Sequence, residues 1–190
     1  MIINSSSLML QIPRMARSFF LKGILIFIGW KLLYLLWLMP KGILDTPLTH
    51  LVGSATVATL NLSGGGHFTG VQGVETQQLD GGKETGSVVD VYYNGQNTLR
   101  IANACNGLEL MVLYAAFLFC YPGRPARRWG FLAAGIGLIL LMNILRCALL
   151  VWIFLRYRAY LDFSHHFAFT LLIYGVIFLL WWRYTRRAAV

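Results

Sequence analysis

The chain has 190 residues, 57% apolar and 14% aromatic, with a mean hydropathy of +0.63, a balance that excludes an ordinary soluble globular domain. Its formal charge of +9 does not point to nucleic acid, because no basic block of five or more occurs and Lys and Arg sit beside hydrophobic runs, as in a multi-pass membrane protein. Cys105, Cys120 and Cys147 form neither a CxxC pair nor an even set, which excludes a zinc ribbon and a disulfide framework and leaves at least one thiol unpaired within the chain.

Residues 1–17 are polar and basic, with Arg14 and Arg17, and lead into an apolar run at 19–39, close to the roughly 20 residues that a spanning helix needs. A cleaved signal peptide has an apolar region of roughly 7–15 residues and an A-x-A-like end. This run is longer and ends in Met39-Pro40-Lys41, so it reads as a first span, with Lys22 and Lys31 snorkelling or facing protein.

Between 41 and 102 the composition turns to Gly, Thr, Asn, Gln and Asp, with three basic residues (Lys41, Lys83, Arg100) against five acidic ones (Asp45, Glu75, Asp80, Glu84, Asp90). By the charge rule this stretch is not cytoplasmic. Thr46-Pro47 reads as an N-cap with Pro at the first helical position. Leu48, Leu51, Val52, Ala55, Thr59 and Leu62 then fall at helical spacing until Gly64-Gly65-Gly66 stops the run, predicting a short amphipathic helix on the membrane or under the rest of the loop. Residues 88–93 and 98–101 read as two short strands around Asn94-Gly95, the strongest local hairpin signal.

A second span is expected at about 105–121, stopped by Pro122-Gly123 and followed by the acid-free linker Arg124-Pro125-Ala126-Arg127-Arg128, which belongs on the cytoplasmic side. A third is expected at 129–155, with Gly130, Gly135 and Gly137 allowing close helix approach, and a fourth at 165–182, closed by Trp181-Trp182 and by Arg183, Arg186 and Arg187. The expected fold is an all-α integral membrane bundle of about four transmembrane helices with a small α+β extracytoplasmic insertion. It divides into 1–40 (tail and first span), 41–103 (insertion) and 104–190 (three-helix core), both termini being cytoplasmic.

Three places carry polar residues that apolar spans avoid: Asn103-Ala104-Cys105-Asn106-Gly107-Leu108-Glu109, Asn143-Ile144-Leu145-Arg146-Cys147, and His165-His166. With alternating spans all three fall on one side of the bilayer, whichever side that is. Cys105 with Glu109 and Asn143 with Arg146 have helical spacing, and a charge at that depth costs at least a few kcal/mol unless paired, so Glu109 and Arg146 are the expected partners. The residue types suit acyl transfer. A thiol at a helix N-terminus beside a cation ionises readily, a histidine serves as base and then as acid, and an arginine stabilises an oxyanion.

Each residue also has a plainer reading. A single cysteine in a span is more often a small buried hydrophobe, which is how Cys120 and Cys147 are read. Cys147 could instead pair with Cys105. Arg146 could snorkel, Glu109 could be purely structural, and the histidines could anchor the interface or bind metal, although neighbours on a helix point about 100° apart. His50 and His67 carry no motif.

Taken together, Ala104-Cys105-Asn106-Gly107-Leu108, then Asn143-Ile144-Leu145-Arg146, then His166 heading the last span resemble the exosortase/archaeosortase family of membrane cysteine transpeptidases, over about residues 100–184. The wording Cys-Asn-Gly-Leu with His-His is similar to the compact Bacteroidetes-type forms. The resemblance implies an enzyme that cleaves C-terminal sorting tails of exported proteins (a short motif, a hydrophobic span and a basic cluster) at the outer face of the inner membrane. It implies a thioester on Cys105, oxyanion stabilisation by Arg146 and acid/base work by His166, with His165, Asn106, Asn143 and Glu109 in support. His166 is preferred to His165 because Tyr174 then stands where the family has an aromatic. Cofactor and metal are expected to be absent, and the acceptor to be water, an amine, or a polysaccharide or lipid-linked group. Larger family members have roughly twice as many spans, so substrate capture falls to 41–102 or to a partner. Two readings remain beside this one: a non-enzymatic assembly factor for surface polysaccharide or secretion machinery, and a small metal-binding or transport protein.

Overall fold

The computed structural model describes residues 14–64, 66–79, 82–121, 123–157 and 169–188. They are mostly helical, with one small sheet. Helix α1 (Arg14–Leu33) continues through a π-helical turn (Tyr34–Leu38) and a final turn (Met39–Lys41), and stops at Gly42, whose φ of 59° is left-handed. Pro40 has no amide to bond back to Leu36, and the widened turn lies in the stretch that loses that bond. The insertion holds α2 (Asp45–Leu62) and strands β1 (Phe68–Leu79), β2 (Gly82–Tyr93) and β3 (Gln96–Ala102). After a 3₁₀ turn (Asn103–Cys105) come α3 (Leu108–Cys120), α4 (Pro125–Arg156) and α5 (Phe169–Ala188).

Two of the described helices are long and apolar enough to cross a membrane, Arg17–Lys41 and Pro125–Arg156. The expected second span is shorter than the sequence suggests, because Gly107 at φ 84° breaks the chain between Cys105 and the helix. The 13 residues of α3 cover roughly 20 Å against a hydrocarbon core of about 30 Å. Of the three glycines expected to admit close helix approach only Gly135 does so. A Cβ there would overlap the Tyr114 ring, whereas nothing lies within 4 Å of one at Gly130 or Gly137. Tyr114 is fully buried and its hydroxyl donates to the Phe131 carbonyl at 2.8 Å, tying α3 to α4. Met111, Leu118, Ile139, Ile173, Ile177 and Tyr184 complete the core that joins α3, α4 and α5.

In the insertion the Asn94-Gly95 turn is present, with both residues at positive φ (50° and 79°). The sheet is larger than expected, having three antiparallel strands in the order β1-β2-β3. Strand β1 escapes a sequence reading because Gly70, Gln72 and Gly73 interrupt any apolar alternation, yet it pairs with β2 along its whole length, from Phe68 opposite Tyr93 to Leu79 opposite Gly82. Arg100 on β3 donates to both oxygens of Asp90, its neighbour on β2, at 2.8 and 3.1 Å, and reaches Glu75 on β1 at 3.2 Å. The Arg100 hydrogen bonds hold the Asp90 carboxyl below the usual carboxylate range.

Helix α2 lies under the sheet, and its buried face is turned away from the one the apolar spacing indicates. Asp45, Thr49, Val52, Gly53, Thr56 and Leu60 are buried, while Leu62 is 89% exposed. The reason is the close approach of Gly53 to β2, where a Cβ would lie 2.7 Å from the Val89 side chain. The helix begins at Asp45, and Thr46 bonds Ser87 at 2.7 Å instead of capping. Val52, Leu60, Phe68, Val89, Val91 and Ile101 share one cluster with Cys147, Ala148 and Val151 of α4, so the insertion and α4 have a common core.

Candidate active site

Cys105 lies in the 3₁₀ turn ahead of α3 and is half-buried, with its side chain packed against the cluster that contains Cys147. All three cysteines are free thiols, so Cys105 is not blocked by Cys147. Cys120 and Cys147 are buried, at 5% and 1% exposed, as a packing role requires.

The main chain around Cys105 is held on two sides. Asn143 of α4 is fully buried and donates through Nδ2 to the Cys105 carbonyl at 2.7 Å. On the other side Asn106, 1% exposed, accepts from the Leu108 amide at 2.9 Å through Oδ1, satisfying one of the free N–H groups that every helix N-terminus presents. Its Nδ2 donates to Asp45 at 2.9 Å and to Thr49 at 3.4 Å, and the Thr49 hydroxyl donates to Asn103 at 2.9 Å. Gly107 completes the turn in the left-handed region, where a Cβ would lie 3.4 Å from the Asn143 amide, so a side chain there would meet both backbone strain and crowding.

Arg146 lies one helical turn beyond Asn143. Its Nε is buried without a hydrogen-bond partner among the described residues. Arg146 lines a cleft of about 870 Å³ with Asp45, Asn103, Asn106, Glu109 and Tyr174. Below this polar end the cleft runs between α1 and α3, walled by Phe27, Trp30, Leu110, Leu113 and Phe117, with Trp181 of α5.

The expected Glu109–Arg146 pair does not form. Glu109 pairs instead with Lys31 of α1 at 3.1 Å, with side chains 79% and 39% exposed. The reason is Gly107, whose positive φ interrupts the helical register that would have stacked Glu109 beneath Cys105. Lys31 therefore faces protein, one of the two roles its position allowed. His165 and His166 lie outside the described residues. Asn106 and Arg146 line one end of the cleft, with Glu109 at its edge, whereas Cys105 and Asn143 are not among its lining residues: Cys105 sits between Ala104 and Asn106, which do line it, and its own side chain packs toward the Cys147 cluster.

Asp45, Tyr34 and Thr49 have no site role in the sequence reading, and Asn103 enters it only as the start of the Cys105 stretch. Their only signal is a carboxylate four residues past the first apolar run's terminal Lys41, ordinary at a membrane surface until Asn106, 61 positions on, is seen bonded to it. Among the described residues no group of three or more His, Cys, Asp or Glu is placed to hold a metal ion.

No curated protein and no solved structure matches the chain. A family model described as transmembrane exosortase matches residues 3–183, nearly the whole length. The Cys105 turn, the Asn143–Arg146 face and the cleft they share thus belong to a chain that is a member of the transmembrane exosortase family.

Proposed function

We propose that the chain is a cysteine transpeptidase or peptidase of the inner membrane that cleaves C-terminal sorting tails of exported proteins, with Cys105 as nucleophile. Family membership supports a transpeptidase-like role at the membrane in general. The observation that supports the specific reading is that the turn carrying Cys105 and the Arg146 side chain border one cleft. That turn is pinned by Asn143 and borders the cleft through Asn103, Ala104 and Asn106, and one helical turn further along α4 Arg146, whose buried Nε has no hydrogen-bond partner among the described residues, lines the cleft as well.

In this reading the Cys105 thiolate attacks the scissile carbonyl, and the electron pair displaced onto oxygen is stabilised by Arg146. Collapse of that oxyanion breaks the C–N bond, and His166 delivers a proton to the departing amine. The resulting thioester is attacked by an amine, a glycan or lipid-linked hydroxyl, or water, whose proton returns to His166. The apolar walls between α1 and α3 suit the hydrophobic span of a sorting tail, whose own helix would leave no unsatisfied backbone in lipid. The acid-rich insertion and the basic 124–128 linker support cytoplasmic termini and a site on the outer face.

The test is release of a mass-tagged tail from a membrane-anchored substrate. Native protein is expected to release it and to give a hydroxylamine-sensitive acyl adduct on Cys105, and Cys105→Ala to do neither. Equal release by both proteins removes the proposal.

A further inference from the structure

Asp45 has no part in that reaction scheme, yet it is buried beside the nucleophile's turn. It is 2% exposed and forms no ion pair among the described residues. Tyr34 of the π-helical turn donates its hydroxyl to Oδ2 at 3.0 Å, and Asn106 donates Nδ2 to Oδ1 at 2.9 Å. Both carboxylate oxygens therefore accept, which is all an ionised carboxylate can do. That polarity propagates. With its NH₂ group committed to Asp45 and Thr49, Asn106 must turn its oxygen to the Leu108 amide, and Asn106 is the residue covalently next to Cys105.

We propose that Asp45 is a positioning residue for Cys105: by fixing which way the Asn106 amide points, it sets the turn that carries the thiol, with Tyr34 anchoring it from α1. This rests on the reading of Cys105 as nucleophile. Any buried carboxylate needs donors for its oxygens; here they come from two separate elements, the π-helical turn and the turn that carries Cys105. The π-helical turn is an independent sign, since such turns inside α-helices are frequent at functional sites, and this one begins at the residue that reaches Asp45.

The experiment exchanges donor and acceptor. Asn106→Asp sets two carboxylates face to face, so one of them holds a proton to higher pH than a lone carboxylate does. While that proton is shared it bridges the pair and the turn is kept. As pH rises and it leaves, the turn is repelled from Asp45. The other charged groups lining the cleft are Lys31, Glu75, Glu109 and Arg146. They are the same in every variant compared.

For Asn106→Asp, kcat of tail release is expected to fall between about ten- and a hundredfold on the alkaline side of that step, the size of effect that a small misplacement of a reacting group produces, with KM little changed. In the double variant Asp45→Asn with Asn106→Asp the amide at 45 donates to the carboxylate at 106 and accepts from Tyr34, so the path from Tyr34 through 45 and 106 to the Leu108 amide is restored and only the 3.4 Å donation to Thr49 is lost. That protein is expected to recover to within about threefold of native and to lose the added pH step. A double variant no better than Asn106→Asp, both unfolding at native temperature, overturns the proposal, as does native kcat for Asn106→Asp across the pH range. Cys105→Ala, assayed alongside, separates the two levels. Release at the native rate removes the nucleophile reading and this inference with it, whereas a silent Cys105→Ala beside an unrescued exchange removes this inference alone.

Discussion

Replacing Asn143 with Ala separates the stability of the Cys105 turn from its chemistry. The substitution removes a 2.7 Å hydrogen bond made by a side chain with no exposed surface. Leaving the Cys105 carbonyl without that donor costs about 1–3 kcal/mol. Against this, Asn143 Oδ1 is itself buried with no hydrogen bond among the described residues, so the native side chain already carries a desolvation penalty of the same kind, which Ala relieves. The void beside Gly107 adds back a part. The net expectation is a loss of about 1–2 kcal/mol of stability, small enough for the protein to remain folded. The loss in rate is expected to be larger in proportion, about ten- to a hundredfold in kcat with KM near native, because the carbonyl next to the thiol is released. Asn143→Asp keeps the shape and replaces the donor by an acceptor facing that carbonyl, so it should be worse on both counts. Purified variants in lipid nanodiscs, compared for thermal unfolding and for release of a tagged tail, give both numbers. Native kcat in Asn143→Ala and Asn143→Asp together would refute the claim that Asn143 holds the reactive turn.

Further outcomes follow from the same geometry. Arg146→Lys keeps the charge but loses the planar fork and its buried Nε, and kcat is expected to drop by about 10²–10³, as when an oxyanion donor is removed, while the protein stays folded in detergent. Glu109→Gln breaks only an exposed pair with Lys31, so unfolding should shift by no more than about 1 kcal/mol and tail release should be near native; a large loss of activity would restore Glu109 to the site. Gly135→Ala drives a methyl into the Tyr114 ring and should lower stability by about 1–3 kcal/mol, measurable as a lower melting temperature, with Gly137→Ala as the neutral control. Asp90 has its folded pKa held below the unfolded value by the Arg100 hydrogen bonds. Its contribution is therefore present above the ordinary carboxylate range and lost as pH falls through the lower folded value. Asp90→Asn should lower thermal stability at pH 7 and flatten the acid limb of the stability curve.

The long apolar runs were legible because span length and the placement of Lys and Arg are properties of composition, which needs no partner to be read. The turn at Asn94-Gly95 was legible for a similar reason, since two adjacent positive φ angles select those residues locally. Strand β1 was not, because an edge strand with Gly70 and Gly73 is specified by what it pairs with rather than by its own alternation. The same limit explains Glu109. An i, i+4 argument assumes continuous helix, and a single glycine at 107 re-aims everything after it toward Lys31. Asn143 and Arg146 could be grouped from spacing alone because α4 runs unbroken through both. Asp45 could not be joined to Asn106, since no local pattern links a carboxylate after one helix to an amide before another.

The core shared by the insertion and α4 has a consequence for how the protein is made. The ribosome delivers α2 and the sheet before α4, so Val52 and Val89 wait with an uncovered face until Cys147 and Val151 arrive beneath them. The clamp on the Cys105 carbonyl comes from the same helix. Every nascent form that ends before Asn143 therefore lacks the clamp on the Cys105 turn, so under the proposed role of Cys105 the onset of activity is timed to the threading of α4.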